Sequence, residues 1–343
     1  MIESTQRAKL YADPIEEGNI VSPWITARAK TLVAMRKIIG TSDYSARAGV
    51  CTWANGIYLV RIVEKRPDSS IIIENLHDIG KRSIPKVQKP IEPDLLYPVL
   101  RGREVSRWLY RSDYYLVLPH TKETAWQAIP ASKIEITFPK TYAYLKEFED
   151  ILVSRSGYVQ LRKGHPFYIL GNTNPDIYAS FKVVWTRVGT DITACVIGEK
   201  EDIFLNKKII IPIETVTMVP FEKQEEAHFF CAALNSSQAR IVIKTYSSQS
   251  TGSFGSPHIS EHVAIPRFNR SNSLHQDLSA LSLQAHRLAA LRSVEPSEPP
   301  AEKKGKGLFL KEIEEEIDKK AAQLWVISEE ELLEIKRSLK ELS

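Results

Sequence analysis

The sequence predicts an α+β fold (mixed α/β): a central mixed β-sheet domain with a helical N-terminal arm and C-terminal helices. Three observations predict it. Short runs of β-branched and aromatic residues recur through the middle of the 343-residue chain. Apolar residues at helical spacing mark both ends. Hydrophobic content of 43%, with six Trp, thirteen Tyr and eleven Phe, is enough for a real core. The composition also excludes several classes. Cys51, Cys195 and Cys231 are far apart and form no Cys-x-x-Cys or Cys/His cluster, which argues against a zinc site or a disulfide scaffold. A reducing compartment fits, and the expected location is cytoplasmic. No apolar run reaches membrane-spanning length and the first residues carry no signal core, so no membrane partner is expected.

Residues 1–45 read as the arm, with an amphipathic helix over 26–39. Leu32, Met35, Ile38 and Ile39 share its apolar face and Gly40 stops it. Residues 46–270 read as the sheet domain. Asn55-Gly56, between β-branched and aromatic flanks, predicts a hairpin turn. A strand follows at 70–74, then a Lys/Pro-rich loop over 79–98 and a buried strand at 114–120 ended by Pro119. Phe138-Pro139 opens a helix whose apolar face is Tyr142, Leu145, Phe148 and Leu152. Strands are expected at 181–188, 208–212 and 215–219, and a helix over 225–243. A polar loop spans 247–258, and Val263-Ala264-Ile265-Pro266 closes the region.

In the long helix at 271–293, Leu274, Leu278, Leu281, Ala285, Leu288 and Leu291 form one stripe. Residues 294–307 are a Pro/Lys/Gly linker. The tail, 308–343, holds two helices. Ile313, Ile317, Ala321 and Leu324 line the first, and Ser328 with Glu331 forms a capping box for the second.

Catalytic motifs are absent. Asn174-Pro175-Asp176-Ile177-Tyr178 has one proline too few for the tetrapeptide that holds a flipped adenine, and reads as a turn. Gly252-Ser253-Phe254-Gly255 lacks the strand-to-helix setting of a phosphate loop. Glu92-Pro93-Asp94 has no Glu-x-Lys partner at the expected distance, and the eight histidines are scattered along the chain. No catalytic, metal or cofactor residue is assigned, and the chain is not expected to be an enzyme on its own.

Binding chemistry remains. The formal charge of +4 is uneven: residues 311–343 hold six basic and ten acidic side chains, so the rest of the chain is strongly basic. Between 98 and 187, thirteen Lys/Arg face eight Asp/Glu, with aromatics interleaved. The densest stretch, Tyr97-Pro-Val-Leu-Arg101-Gly102-Arg103-Glu104-Val-Ser-Arg107-Trp108, holds three arginines, whose forked donors suit phosphates and guanine edges. The competing reading is a surface loop in which Arg101 and Arg103 pair with Glu104. Candidate DNA contacts are Arg101, Arg103, Arg107, Lys140, Lys182 and Arg187, with Ser253 and Ser256 in the polar loop. Trp108, Tyr115 and Trp185 read as core.

Several segments, in order, resemble the C-terminal target-recognition region of adenine-N6 DNA methyltransferases of the fused restriction–modification and phage-exclusion kind. Ala46-Arg-Ala-Gly49-Val-Cys-Thr52-Trp-Ala-Asn55-Gly56-Ile-Tyr58 resembles the opening element of that region. Pro98-Val-Leu-Arg101-Gly102-Arg103-Glu104-Val is similar to its Pro-Leu-Leu-Lys/Arg-Gly-Arg-Asp-Ile element. Phe138-Pro139, Phe181-Lys182-Val183-Val184-Trp185 and Leu234-Asn235-Ser236 follow in family order. Ile313 to Asp318, Leu324-Trp325 and Ser328 to Glu331 are similar to its C-terminal ending, without the usual Tyr-Gly.

The resemblance implies a module that clamps double-stranded DNA and reads its sequence. The partner it implies is a methyltransferase core or subunit. The methyl-transfer motifs are missing from this sequence, so S-adenosylmethionine (SAM) would bind that core and no cofactor is expected in this chain. Two alternatives stay open: an assembly subunit of a defence complex that does not read DNA, and a nuclease with a non-standard site.

Overall fold

A computed structural model describes residues 9–342 apart from 17, 23, 81, 190, 248–256 and 295–299. The architecture is α+β. The chain opens on a hairpin of β1 (Tyr11–Pro14) and β2 (Trp24–Ala27), followed by α1 (Ala29–Ile38). The short strand β3 (Arg47–Ala48) and a helical turn α2 (Asn55–Tyr58) lead into β4 (Leu59–Lys65) and β5 (Ile71–Asn75). Next come β6 (Gln88–Ile91), β7 (Leu96–Leu100), the small hairpin β8 (Val105–Ser106) and β9 (Leu109–Tyr110), and β10 (Tyr114–Val117). Helices α3 (Ala131–Thr137), α4 (Pro139–Lys146) and α5 (Glu149–Val153) follow. The next strands are β11 (Phe181–Thr186), β12 (Ala194–Ile197), β13 (Glu199–Asp202), β14 (Asn206–Ile209), β15 (Ile211–Pro212) and β16 (Val216–Phe221). The last elements are α6 (Gln224–Asn235), α7 (Ser237–Ser247), α8 (Ser273–Val294), α9 (Pro300–Leu324) and α10 (Glu329–Glu341).

Two larger sheets organise these elements. A six-stranded sheet has the order β15-β7-β10-β4-β5-β6, antiparallel except where β15 runs parallel to β7. A four-stranded antiparallel sheet has the order β12-β11-β16-β3. It stands between two cores. Val183, Trp185, Ala194, Val196, Val219 and Phe221 point into a core built with α1 and helices α6 to α10. Their alternates Val184, Cys195, Ile197, Val216 and Met218 point into the core of the six-stranded sheet. A sheet buried on both faces needs apolar residues at nearly every position, which is why 181–186 reads as an almost continuous apolar run. Trp108, Tyr115 and Trp185 are buried, as expected.

The first and last elements pack together. Leu32 and Met35 of α1 share a core with Ile335 and Leu339 of α10, and the Thr31 and Ser338 hydroxyls meet at 2.8 Å. Arg28–Glu341 at 2.6 Å and Lys37–Glu331 at 2.8 Å bridge the same contact at the surface, where such pairs add little. The tail is fixed by Asp318. Its carboxylate accepts from the Ser237 amide and hydroxyl, both at 2.7 Å, and so caps the N-terminus of α7 from another helix. The capping box of Ser328 and Glu331 forms as expected.

Several expectations are corrected. Asn55-Gly56 is not a hairpin turn. The Thr52 hydroxyl accepts from the Ala54 amide (3.1 Å) and donates to Asn55 Oδ1 (2.5 Å), while the Ile57 amide closes a helical turn onto Ala54 O. The glycine at 56 serves close packing, since a Cβ there would lie 2.8 Å from Ile84 Cδ1. The strands on either side join different sheets: β3 pairs with β16, and β4 with β10 and β5. The arm helix starts at Ala29 because 24–27 pair with β1. The helix over 225–243 is two helices broken at Ser236, whose backbone is extended. Leu291 ends the stripe on α8 exposed, and α9 begins at Pro300, inside the expected linker.

Candidate nucleic-acid interface

The arginine stretch splits the fates of its members. At the end of β7 the chain enters a 3₁₀ turn, Gly102–Glu104. Glu104 reaches back to accept from the Arg101 amide at 2.9 Å, and its other oxygen accepts from Arg101 Nε at 2.7 Å. Arg101 is only 7% exposed, and its guanidinium lies 4.3 Å from the centre of the Tyr114 ring. Arg101 pairs with Glu104, as the competing reading supposed, and its Nη1 is buried with no described partner. Gly102 packs so tightly that a Cβ would lie 2.7 Å from Thr215 O, and its amide donates to Thr215 Oγ1 at 2.9 Å. Arg103, next in line, is exposed and has no hydrogen bond or ion pair with any described residue.

Thr215 also anchors Arg187: its carbonyl accepts from the Arg187 amide at 3.1 Å, and Arg187 Nη1 donates to Glu214 O at 3.1 Å. Arg103 and Arg187 are therefore brought to one place, where β7, β11 and β15 end and the two sheets meet. The rest of this junction is polar. Glu214 Oε1 accepts from Asn55 Nδ2 at 3.3 Å, whereas Oε2 is buried with no partner, and burial raises the carboxyl pKa. The 49–51 segment is strapped across it by Val50 N to Pro212 O and Glu214 N to Val50 O, both 2.9 Å. Asn172, exposed and in the left-handed region (φ 56°), donates to Gly49 O at 3.3 Å. Forked guanidinium, amide and carboxylate groups at one surface are the set that phosphates and base edges ask for.

The other candidates lie elsewhere. Arg107, in the turn between β8 and β9, pairs with Glu314 of α9 at 3.4 Å and with Asp191 at 3.7 Å, and burial lowers its pKa. Trp108 beside it donates to the same Glu314 at 2.9 Å. Lys140 sits on α4 next to β6, at the opposite edge of the six-stranded sheet from β15, and its ammonium pairs with Asp68 at 2.7 Å. That contact holds the Asp68 carboxyl well below its usual range. Lys182 is fully buried on the face of β11 shared with Val184, and donates to Ala179 O at 2.9 Å. Burial pushes its ammonium down to about 7. An inward lysine cannot touch a duplex at the surface, which corrects that expectation. Ser253 and Ser256 lie outside the described residues.

Asn172, Glu214 and Thr215 were not singled out from the sequence, and Asn55 stood out only as part of a turn signal and of the opening element. Glu214 had a signal: it is a carboxylate interrupting the apolar strand runs of 209–219. Glu92, weighed above as a nuclease acid, caps α4 instead, accepting from the Lys140 and Thr141 amides at 2.9 and 2.8 Å. The turn at 174–178 is confirmed, with Asn174 Oδ1 accepting from the Asp176 amide at 2.9 Å. Among the described residues, no group of three His, Cys, Asp or Glu is placed to hold a metal, and no helix is long and apolar enough to cross a membrane.

No protein-family model matches the chain, and none of the curated proteins matches it. The solved structures do offer a likeness. The type IIL restriction-modification enzyme MmeI, determined in complex with DNA, aligns over 89% of this chain and 37% of its own, with a TM-score of 0.51 and 11% identity. The chain shares its fold with part of a restriction-modification enzyme. The type IIG restriction endonuclease BpuSI aligns over 86% of this chain and 33% of its own, at a TM-score of 0.38 and 15% identity. This chain thus spans little more than a third of the length of MmeI.

Proposed function

We propose that the chain is the DNA target-recognition module of a restriction–modification protein, belonging with an adenine-N6 methyltransferase. The observation that carries this reading is the fold shared with MmeI, whose structure contains DNA, together with an exposed arginine at the junction of the two sheets. Arg103 and Arg187 supply cations to the duplex. Arg103 is exposed at the rim with no partner among the described residues, while Arg187 is positioned by the Thr215 and Glu214 carbonyls. Glu214 and Asn55, hydrogen-bonded to each other at 3.3 Å, hold the polar lining of the junction beside them. Methyl transfer, and the SAM it consumes, belong to a separate core or subunit, which is the partner proposed for this chain.

Selection of duplexes from a random pool by the purified chain, followed by anisotropy titration at fixed salt, tests the proposal. Enrichment of one short motif, bound at least about a thousandfold tighter than random duplex, is expected. Equal affinity for all duplexes, or none at low salt, would contradict it.

A further inference from the structure

The seam between the β8–β9 hairpin, α7 and the tail helices holds a cavity of about 360 Å³. Five cationic side chains line it: Arg107, Arg240, Lys311, Lys336 and Lys340. Three carboxylates face them, and two of these are committed. Glu314 holds Trp108 Nε1 and Arg107, while Asp318 holds Ser237 and pairs with Lys336 at 2.9 Å. Arg240 is paired outside the wall, with Asp191. Asn235 is spent on both the amide and the carbonyl of Ala194, at 2.9 Å each.

What remains unspent is chiefly positive. Lys311 and Lys340 are exposed and have no hydrogen bond or ion pair with any described residue. Arg107 Nε is buried with no acceptor, although its guanidinium already serves Glu314. Against these stands Glu315, exposed and likewise without an ion pair. A buried donor on a charged group that lacks an acceptor is costly, and an anion's oxygen removes that cost. A guanidinium in the wall and two exposed ammonium groups match the charge and donor chemistry of a phosphate.

We propose that this cavity is an anion site that takes a phosphate group, with Arg107 as its fixed donor and Lys311 and Lys340 as its rim. The phosphate comes either from the backbone of a nucleic acid reaching the tail side or from a free phosphate or phosphate ester. The site is separate from the sheet junction and does not depend on base readout there.

Isothermal titration of the full chain with inorganic phosphate and with pyrophosphate, at low and constant ionic strength, tests it. Saturable binding is expected, weakened about tenfold in Lys311→Ala/Lys340→Ala, two exposed substitutions that leave the melting temperature unchanged. If duplex DNA displaces phosphate and the double variant also binds duplex more weakly, the source is the nucleic-acid backbone. If phosphate still binds with duplex present, the source is a free phosphate. No saturable heat, or equal binding by the parent and the double variant, would overturn the site. Loss of duplex binding in Arg103 or Arg187 variants bears on the proposed function alone.

Discussion

The sheet junction around Arg103 and the tail seam around Arg107 both carry arginines from one short stretch, yet they use them in opposite ways. At the junction, Arg103 is exposed with no partner among the described residues, and one buried oxygen of Glu214 has no described partner. At the seam, Asp191 and Glu314 converge on Arg107 and draw the tail helix onto the hairpin. The mere presence of cations does not distinguish the two regions. The position of the carboxylates does, and position is a property of the tertiary fold. The junction leaves a cation exposed, whereas the seam ties the tail to the hairpin.

The largest effect is expected away from both regions, and it isolates their role by showing what a buried cation costs. Lys182 titrates near 7 in the folded protein and near 10.5 when unfolded. The unfolded chain therefore binds more protons between those values, so stability rises with pH from about 7 to about 10.5 and is lowest below that window. Lys182→Met should stabilise the protein by up to about 4 kcal/mol at pH 7 and flatten this rise. Urea unfolding at pH 6.5 and 9.5 measures both. A parent curve independent of pH across that range would remove the buried-cation account.

Next, Asp318→Ala should break the seam. It strips the cap from α7 and leaves Lys336 unpaired, for a loss of about 3 kcal/mol. Retained stability would mean that apolar packing alone docks the tail. Third, the two neighbours at the junction should separate. Arg103→Ala should weaken duplex binding about tenfold with little change in melting temperature, because nothing in the fold leans on it. Arg101→Ala should lower the melting temperature by several degrees, since it frees a buried Glu104. Smallest of all, Lys140→Ala should leave duplex affinity within about a factor of two, as its exposed pair with Asp68 lies at the far sheet edge.

Much of the fold was legible because burial writes itself into residue type. The runs at 114–117, 181–186 and 216–221 became strands, and the pairing of Ser328 with Glu331 became a helix start. The failures share one cause. Asn55-Gly56 carries a local turn signal, but Thr52 and Glu214 take the Asn55 side chain, and Ile84 takes the space a Cβ at 56 would need. Lys182 looks like a surface cation until β11 is found to be covered on both faces. The site was legible only in part for the same reason. Gly102, next to Arg103, and Arg187 are far apart in sequence and both hydrogen-bond Thr215, a contact no local pattern encodes.

The most direct test is the salt dependence of duplex binding for the parent chain and for Arg103→Ala/Arg187→Ala, with Lys140→Ala at the far sheet edge as the control. If the junction faces DNA, the log–log slope should fall by roughly one for each phosphate contact removed, while the control keeps the parent slope. Parallel lines of equal affinity for the parent and the double variant would contradict the claim that Arg103 and Arg187 at the sheet junction hold the duplex.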